Sequence, residues 1–385
     1  MSTELPASEY HDRIAEVRSR LAETDADAGV WFGAKSIGYL TGFHHLQTER
    51  PVVLAITDER IEITVPRLEV ERAEAVPRLD AVHHYFDYPG GEPIEAAVEM
   101  LSELGVDAVM ADMDGAPGTM GYAGPALSEY VDVETQDWAK RMRYAKSDAE
   151  IELITESVKW ANLAHRYLAE YAEPGAHPAT VSQRASMEAS RAMLDTLGDE
   201  YVATVRGDGP ARAGFISGEQ TALPHGHTAN RRLETGDVLI TGASANVDHY
   251  HSELERTMFI GEPSDEQIHY FELMLEAQTI AIEALEPGVP VSYVDQEVWD
   301  YFEEQGITDL AQHHVGHNIG LGGHEPPYID RGNDETMEPG HVYTIEPGIY
   351  TEDEGYRHSD TVAVTEDGYE VLTYFPRDLE SNIIR

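Results

Sequence analysis

Apolar and polar positions alternate in two different rhythms along this chain. Up to about residue 140 the rhythm is short. Ile14 to Leu21 has helical spacing, and Ala28–Gly29–Val30–Trp31–Phe32 is a continuous apolar run of strand length. Gly38 to Phe43 is rich in turn-forming residues and leads to Arg50. Val52–Ile56 and Ile61–Val65 are strands joined through the Asp58–Glu59 turn. Ile94–Leu104 is a helix stopped by Gly105, and Ala108–Met110 is a further strand. Alternating strands and helices predict an α/β domain.

From Ser147 the rhythm lengthens. Ser147-x-x-Glu150 is a capping box, and Ile151, Ile154, Val158, Ala161 and Leu168 follow at helical spacing as far as Pro174–Gly175. Thr180-x-x-Gln183 opens a second helix that ends at Gly198. The arrangement then recurs. Ser264-x-x-Gln267 opens a long helix ending at Pro287–Gly288, and Ser292 opens another ending at Gly306. Glu173–Pro174–Gly175 matches Glu286–Pro287–Gly288, and Gly236-x-Val238 matches Gly340-x-Val342. Overlaying Gly236 on Gly340 sets Gly242 against Glu346 and Glu255 against Ser359. Four landmarks recurring in order predict an internal duplication about a pseudo-twofold axis, with equivalent strands meeting there and facing one pocket. The expected domains are residues 1–140 and 147–385.

Composition narrows the partners. Lys+Arg total 26 against Asp+Glu 72, a formal charge of −46 dispersed along the chain. No basic patch is present to neutralise phosphates, so nucleic acid is not an expected partner. A dispersed acidic excess fits a surface solvated in a high-salt cytoplasm, where screening removes the self-repulsion. Cysteine is absent, which excludes disulfides, thiolate metal sites and cysteine nucleophiles. No apolar run approaches membrane-spanning length and the N-terminus has no basic-then-apolar pattern, so a cytoplasmic protein is expected.

His, Glu and Gly gather in two blocks. The first runs from Leu223–Pro224–His225–Gly226 to Ser252–Glu253–Leu254–Glu255–Arg256–Thr257. The second runs from His313–His314–Val315–Gly316–His317 through His324–Glu325 to Thr344–Ile345–Glu346–Pro347–Gly348. Glu253 and Glu255 share a strand face because the period is two. A histidine opposite two glutamates can move protons while the carboxylates hold a cationic group. His317 and His324 lie in a glycine-rich run, where the backbone can crowd a ligand, and can ligate metal or polarise a substrate. His313 and His314 read as structural. No nucleophile elbow and no phosphate loop are present.

These motifs resemble the pita-bread hydrolases, the family of creatinase, aminopeptidase P, prolidase and methionine aminopeptidase. The resemblance covers nearly the whole chain. It implies a creatinase-type N-terminal α/β domain and a C-terminal pita-bread α+β domain, and a homodimer. The family's peptidases hold two metal ions with two aspartates, a histidine and two glutamates. Carried over, these positions fall on Gly242, Glu253, His317, Glu346 and Ser359. Asp248, His358 and Asp360 are nearby substitutes, although alternation points 358 and 360 away from the face of 359. The resemblance is closest to creatinase, the member that works without metal, through His225, Glu255, Glu346 and the chain end from Tyr374 to Arg385. Arg50 matches an arginine that reaches substrate, and a second carboxylate-binding arginine falls on Tyr328, with Arg331 nearby.

The expectation is therefore a hydrolase of a C–N bond in a small carboxylate-bearing compound, without a cofactor. Its catalytic residues are His225, Glu255, Glu346, His317 and His324, and its substrate contacts are Arg50, Tyr328 and Arg331. The alternative is a metal-dependent Xaa-Pro peptidase acting on dipeptides, with Mn, Co or Zn on Glu253, His317 and Glu346. A non-catalytic binding module is the third reading. Five converging polar groups argue against it.

Overall fold

The computed structural model describes residues 3–86, 92–116, 124–204 and 209–385. It divides into two compact units, Pro6–Arg143 and Tyr144–Arg385, the latter including Met1–Leu5.

The first unit contains α1 (Ala7–Leu21), β1 (Ala28–Trp31), α2 (Ala34–Thr41), β2 (Val53–Ile56), β3 (Ile61–Pro66), α3 (Val70–Glu74), β4 (Ala81–Tyr85), α4 (Pro93–Glu103), β5 (Ala108–Ala111), β6 (Asp132–Thr135) and α5 (Trp138–Met142). Six strands form a mixed sheet in the order β4-β3-β2-β1-β5-β6. Val30, Phe32, Val53, Ile94, Met100, Leu101 and Val109 make its core. The segment from Gly38 to Phe43, read as turns, is instead the end of α2 and its Gly42 cap in the left-handed region. Ile37 and Leu40 are fully buried, so tertiary burial outweighs the helix-weakening Gly38. β6 carries Val133 as its one apolar residue, and the apolar run of β4 is interrupted by His83 and His84, so neither segment reads as a strand.

The second unit contains α6 (Asp148–Tyr171), α7 (Pro178–Leu197), β7 (Ala211–Ser217), β8 (Val238–Val247), β9 (Tyr250–His251), β10 (Leu254–Ile260), α8 (Asp265–Glu283) and α9 (Val291–Gln305). There follow β11 (Gly316–Asn318), β12 (Glu325–Ile329), β13 (Val342–Ile345), β14 (Gly348–Tyr350), β15 (Gly355–Arg357), β16 (Ser359–Thr365), β17 (Gly368–Val371) and β18 (Ile383–Ile384). Both capping boxes form: Ser147 accepts from the Glu150 amide and Ser264 from the Gln267 amide. The other two helices begin earlier than their serine and threonine suggested. α7 starts at Pro178 behind His177, and α9 follows Pro290. Proline preset to helical φ takes the first helical position of α7.

The main sheet runs β12-β11-β13-β16-β10-β8-β7. β10 and β16, which the Gly236–Gly340 overlay makes equivalent, lie side by side and antiparallel at its centre. β8 and β13 flank them, and β7 and β11 lie beyond. This is the strand arrangement a duplication about a twofold produces. Each half has its own core. α6 and α7 pack Leu153, Ile154, Val158, Leu168 and Met193 with Leu239 and Val247. α8 and α9 pack Phe271, Met274, Val294 and Phe302 with Tyr343 and Val362. Each such side chain contributes roughly 1.5–3 kcal/mol on burial.

The axis is fastened by a buried ion pair. The Arg256 guanidinium donates to Asp360 Oδ1 at 2.8 Å, and both side chains are within 1 % of complete burial. It also donates to the carbonyls of Glu255, Ser359, Phe375 and Pro376. One side chain thus joins β10, β16 and the chain end, and sets the register in which Glu255 faces Ser359.

Candidate metal centre and active site

The register fixes the site. Gly242, Glu255 and Ser359 are paired across β8, β10 and β16. Glu346 follows β13, and its amide donates to the Val315 carbonyl. His317 lies on the adjoining β11, opposite Thr344. Glu253 precedes β10, and its amide donates to Thr361 Oγ1.

These positions bring three donors together. His317 Nε2 is 3.3 Å from Glu346 Oε1 and 4.0 Å from Glu253 Oε2. The three residues offer ligand atoms that all lie within 4.8 Å of one another. His317 Nδ1 is paired with the Asn318 carbonyl at 3.0 Å, which leaves Nε2 to act as the ligand nitrogen. Asn318 is itself fixed: Lys146 donates to its Oδ1, and its Nδ2 donates to the Tyr144 carbonyl. Ser359 Oγ donates to Glu253 Oε1 at 2.8 Å.

The electrostatics fit a cation. Burial pushes Glu253 up to about 8, and the charges of Glu346 and Glu255 add to it. Burial opposes the charge of Glu346 too, but the His317 hydrogen bond and Arg357 outweigh it and bring that carboxyl down to about 2. For His317, burial works against protonation, yet Glu346 and Glu253 raise its pKa overall. One imidazole and two carboxylates are a donor set that could hold a divalent ion.

A second positive charge is part of the chain. Arg357 donates to Glu255 through Nε at 2.5 Å and Nη2 at 3.0 Å. Its Nε lies 3.7 Å from Glu346 Oε2. Burial opposes the guanidinium charge, but Glu255 holds its pKa well above the ordinary value. Arg357 also donates to Tyr350 Oη, which pairs with His313 Nε2 at 2.8 Å, and to the Pro224 carbonyl beside His225. A Cβ on Gly242 would stand 3.5 Å from Glu255 Oε1. No carboxylate is present at Gly242 or Ser359. The nearby substitutes do not join: Asp360 is bound by Arg256, His358 Nδ1 accepts from the Thr257 amide, and Asp248 accepts from the Leu5 amide.

The other expected residues divide. The His324 ring lies 3.9 Å from that of His317 and 5.3 Å from that of Tyr328. Tyr328 also stacks on His314. His225 is exposed. Arg331 is engaged elsewhere, bonded to Asp295 at 3.1 Å and lying over the Trp299 ring. Arg50 belongs to the other unit and pairs with Glu49. Sequence reasoning missed Arg357 as a site residue and took His313 as merely structural. The available signal was the position of Arg357 two residues before Ser359, at the end of the preceding strand.

Comparison with known proteins gives the class. The family model described as Metallopeptidase family M24 matches residues 152–366, more than half the chain, and the Creatinase/Prolidase N-terminal domain matches residues 13–119. The chain belongs to metallopeptidase family M24, the pita-bread hydrolases. An uncharacterized peptidase of Staphylococcus aureus (strain USA300) is 27 % identical over 367 residues, covering 95 % of this chain and 99 % of the relative. Among solved structures, a Xaa-Pro dipeptidase from Bacillus anthracis is 26 % identical with a TM-score of 0.80, covering 97 % and 99 % of the two chains. The dipeptidase PepE from Mycobacterium ulcerans is 25 % identical with a TM-score of 0.81, covering 99 % of each. The prolidase from Pyrococcus horikoshii OT3 is 25 % identical with a TM-score of 0.79, covering 96 % and 99 %.

The protein is therefore a hydrolase with an N-terminal creatinase-type domain and a C-terminal M24 domain. One expectation is overturned. A cofactor-free site was inferred from the missing carboxylates at Gly242 and Ser359. Membership of a metallopeptidase family and the convergence of Glu253, His317 and Glu346 contradict that inference. Counting lost ligands gave too little weight to the three that remain.

Proposed function

We propose that the protein is a metal-dependent peptidase that cleaves Xaa-Pro dipeptides. The observation that carries this reading is the convergence of Glu253, His317 and Glu346 on one point. The likeness to the Xaa-Pro dipeptidase of Bacillus anthracis and the prolidase of Pyrococcus horikoshii OT3 supports the substrate class. Glu253, His317 and Glu346 would hold a divalent ion, Mn, Co or Zn, which when bound polarises a carbonyl and lowers the pKa of water.

The remaining steps belong to side chains. Arg357 holds Glu255 by both oxygens and leaves each a lone pair facing the pocket. Glu255 thereby receives the substrate ammonium and fixes which bond lies over the centre. His324, whose pKa partial burial and the neighbouring His317 and His314 lower, stands neutral against the His317 ring and hydrogen-bonds the group under attack. His225, tethered through Pro224 to Arg357, moves a proton to the leaving nitrogen. Tyr328 lines the same side. The dimer and the Arg50 contact implied by the family resemblance remain part of this reading.

The test is hydrolysis of Ala-Pro and Ala-Ala by the purified protein and by His317→Ala and His225→Ala variants. Cleavage of Ala-Pro, abolished by His317→Ala and lowered about 10²–10⁴-fold by His225→Ala, supports the reading. Equal cleavage of Ala-Ala refutes the substrate class, and activity surviving His317→Ala refutes the site.

A further inference from the structure

Glu253 and Glu346 each divide their two oxygens between different partners. Glu346 turns Oε1 toward His317 Nε2 at 3.3 Å, while its Oε2 lies 3.7 Å from Arg357 Nε. Glu253 turns Oε2 toward His317 Nε2 at 4.0 Å, while its Oε1 accepts from Ser359 Oγ at 2.8 Å. A two-metal centre needs carboxylates that bridge, with one oxygen for each ion. Here the oxygens turned away from His317 already face donors of the chain. Glu255, the third carboxylate, is held through both oxygens by Arg357 and is not one of the converging donors. Its cross-strand neighbours add no carboxylate. Gly242 on β8 has no side chain, and the Ser359 hydroxyl on β16 gives its proton to Glu253.

The guanidinium is not free to give way. Arg357 Nη1 donates to Tyr350 Oη at 3.0 Å and to the Pro224 carbonyl at 3.3 Å, while Nε and Nη2 are taken by Glu255. The side chains of Arg357 and Glu255 are only 11 % and 16 % exposed, so displacing one would strand the other's charge away from water. Charge sets the same limit. Glu253 and Glu346 must be ionised to bind metal, and Arg357 keeps Glu255 ionised. A divalent ion and a guanidinium cancel these three negative charges, whereas a second divalent ion would leave an uncompensated positive excess in a largely buried place.

We infer that this centre takes a single divalent ion per chain, and that Arg357 stands where a second ion would bind. The inference rests on the metal-dependent reading proposed above and fixes the form of its site. The guanidinium supplies a fixed positive charge to Glu255 and to the outer oxygen of Glu346. It does so without the carboxylates that the family resemblance would require at Gly242 and Ser359.

The experiment equilibrates chelator-stripped, full-length protein with Mn2+ in about 1 M KCl, which screens the acidic surface. Manganese per chain is measured by elemental analysis, with the amount held by His317→Ala subtracted as surface binding, and the electron paramagnetic resonance spectrum is recorded. The parent should hold about one equivalent and show the hyperfine-resolved spectrum of isolated ions. Two equivalents, or the exchange-coupled spectrum of a bridged pair, would overturn the inference and leave the metal-dependent reading standing. No manganese above the His317→Ala level would overturn both. Gly242→Asp sets a carboxylate across from Glu255, its Cβ at an ordinary contact of 3.5 Å from Glu255 Oε1. That variant should still hold about one equivalent while Arg357 is present, and Gly242→Asp/Arg357→Met should hold about two and show exchange coupling. A second equivalent in Gly242→Asp alone overturns the part given to Arg357. So does a double variant that keeps its first ion and gains no second.

Discussion

Arg256→Met should destabilise the second unit by at least 3–5 kcal/mol. The guanidinium makes one hydrogen bond to Asp360 and four to main-chain carbonyls, with no solvent exposure. Removing one partner of a buried pair leaves the other charge uncompensated, which accounts for about 3–5 kcal/mol. Asp360 keeps bonds from Thr373 Oγ1 and Gln278 Nε2 and a second cation, Arg377, at 3.8 Å, which places the charge loss at or below the lower end. The carbonyls of Glu255, Ser359, Phe375 and Pro376 then lose a donor, at about 1 kcal/mol each where no water enters. The double variant Arg256→Met/Asp360→Leu separates the two effects. It removes the stranded charge but restores none of the carbonyl partners, so it should recover only part of the loss. Urea unfolding followed by far-UV circular dichroism, with the slope compared between variants, measures both. A single variant within about 1 kcal/mol of the parent, or a double variant fully restored, would show that Arg256 does not fasten the axis.

Three further outcomes follow from the charges. Arg357→Met removes a cation 3.7 Å from Glu346, an interaction on the order of 4 kcal/mol at an effective dielectric of about 20. Loss of that cation removes its repulsion toward a bound divalent ion, so metal binding should tighten, and calorimetric titration showing weaker binding would contradict this. His165 and His341 are held down to about 3, by burial above all, with Arg256 and Lys146 adding to it. The unfolded chain takes up protons at these positions near pH 6.5 and the folded chain does not, so stability is full above about 6.5 and falls as pH drops toward 3, by several kcal/mol. His165→Gln should flatten that dependence in urea midpoints taken across the range, and an unchanged slope would refute the assignment. The dispersed charge of −46 predicts melting temperatures that climb with KCl, and equal stability in dilute buffer would count against a salt-adapted surface.

What the sequence disclosed depended on whether a residue's role was local. The Ser147 and Ser264 boxes are local chemistry, and both form as expected. The duplication was legible because Gly236 and Gly340 occupy equivalent turns. α2 was hidden because its stability comes from burial of Ile37 and Leu40, which propensity at Gly38 argues against. β4, interrupted by His83 and His84, and β6, with Val133 as its one apolar residue, draw their identity from neighbouring strands. At the site, Glu253, His317 and Glu346 were recognisable as possible ligands, but their sum was misjudged. Their coordinates converge through pairings of β10, β11, β13 and β16 that no spacing reveals. Arg357 stayed unseen for the same reason. Its partner Glu255 is distant in sequence, and only the sheet brings them together.

The central claim is that Glu253, His317 and Glu346 hold a catalytic divalent ion. The most direct measurement is calorimetric titration of chelator-stripped protein with Mn2+, Co2+ and Zn2+, beside the same titration of His317→Ala, with Ala-Pro hydrolysis followed in each cell. The account predicts saturable binding by the parent, its loss in His317→Ala, and hydrolysis that appears only as the site fills. Full hydrolysis by the stripped protein, or undiminished binding by His317→Ala, would contradict it.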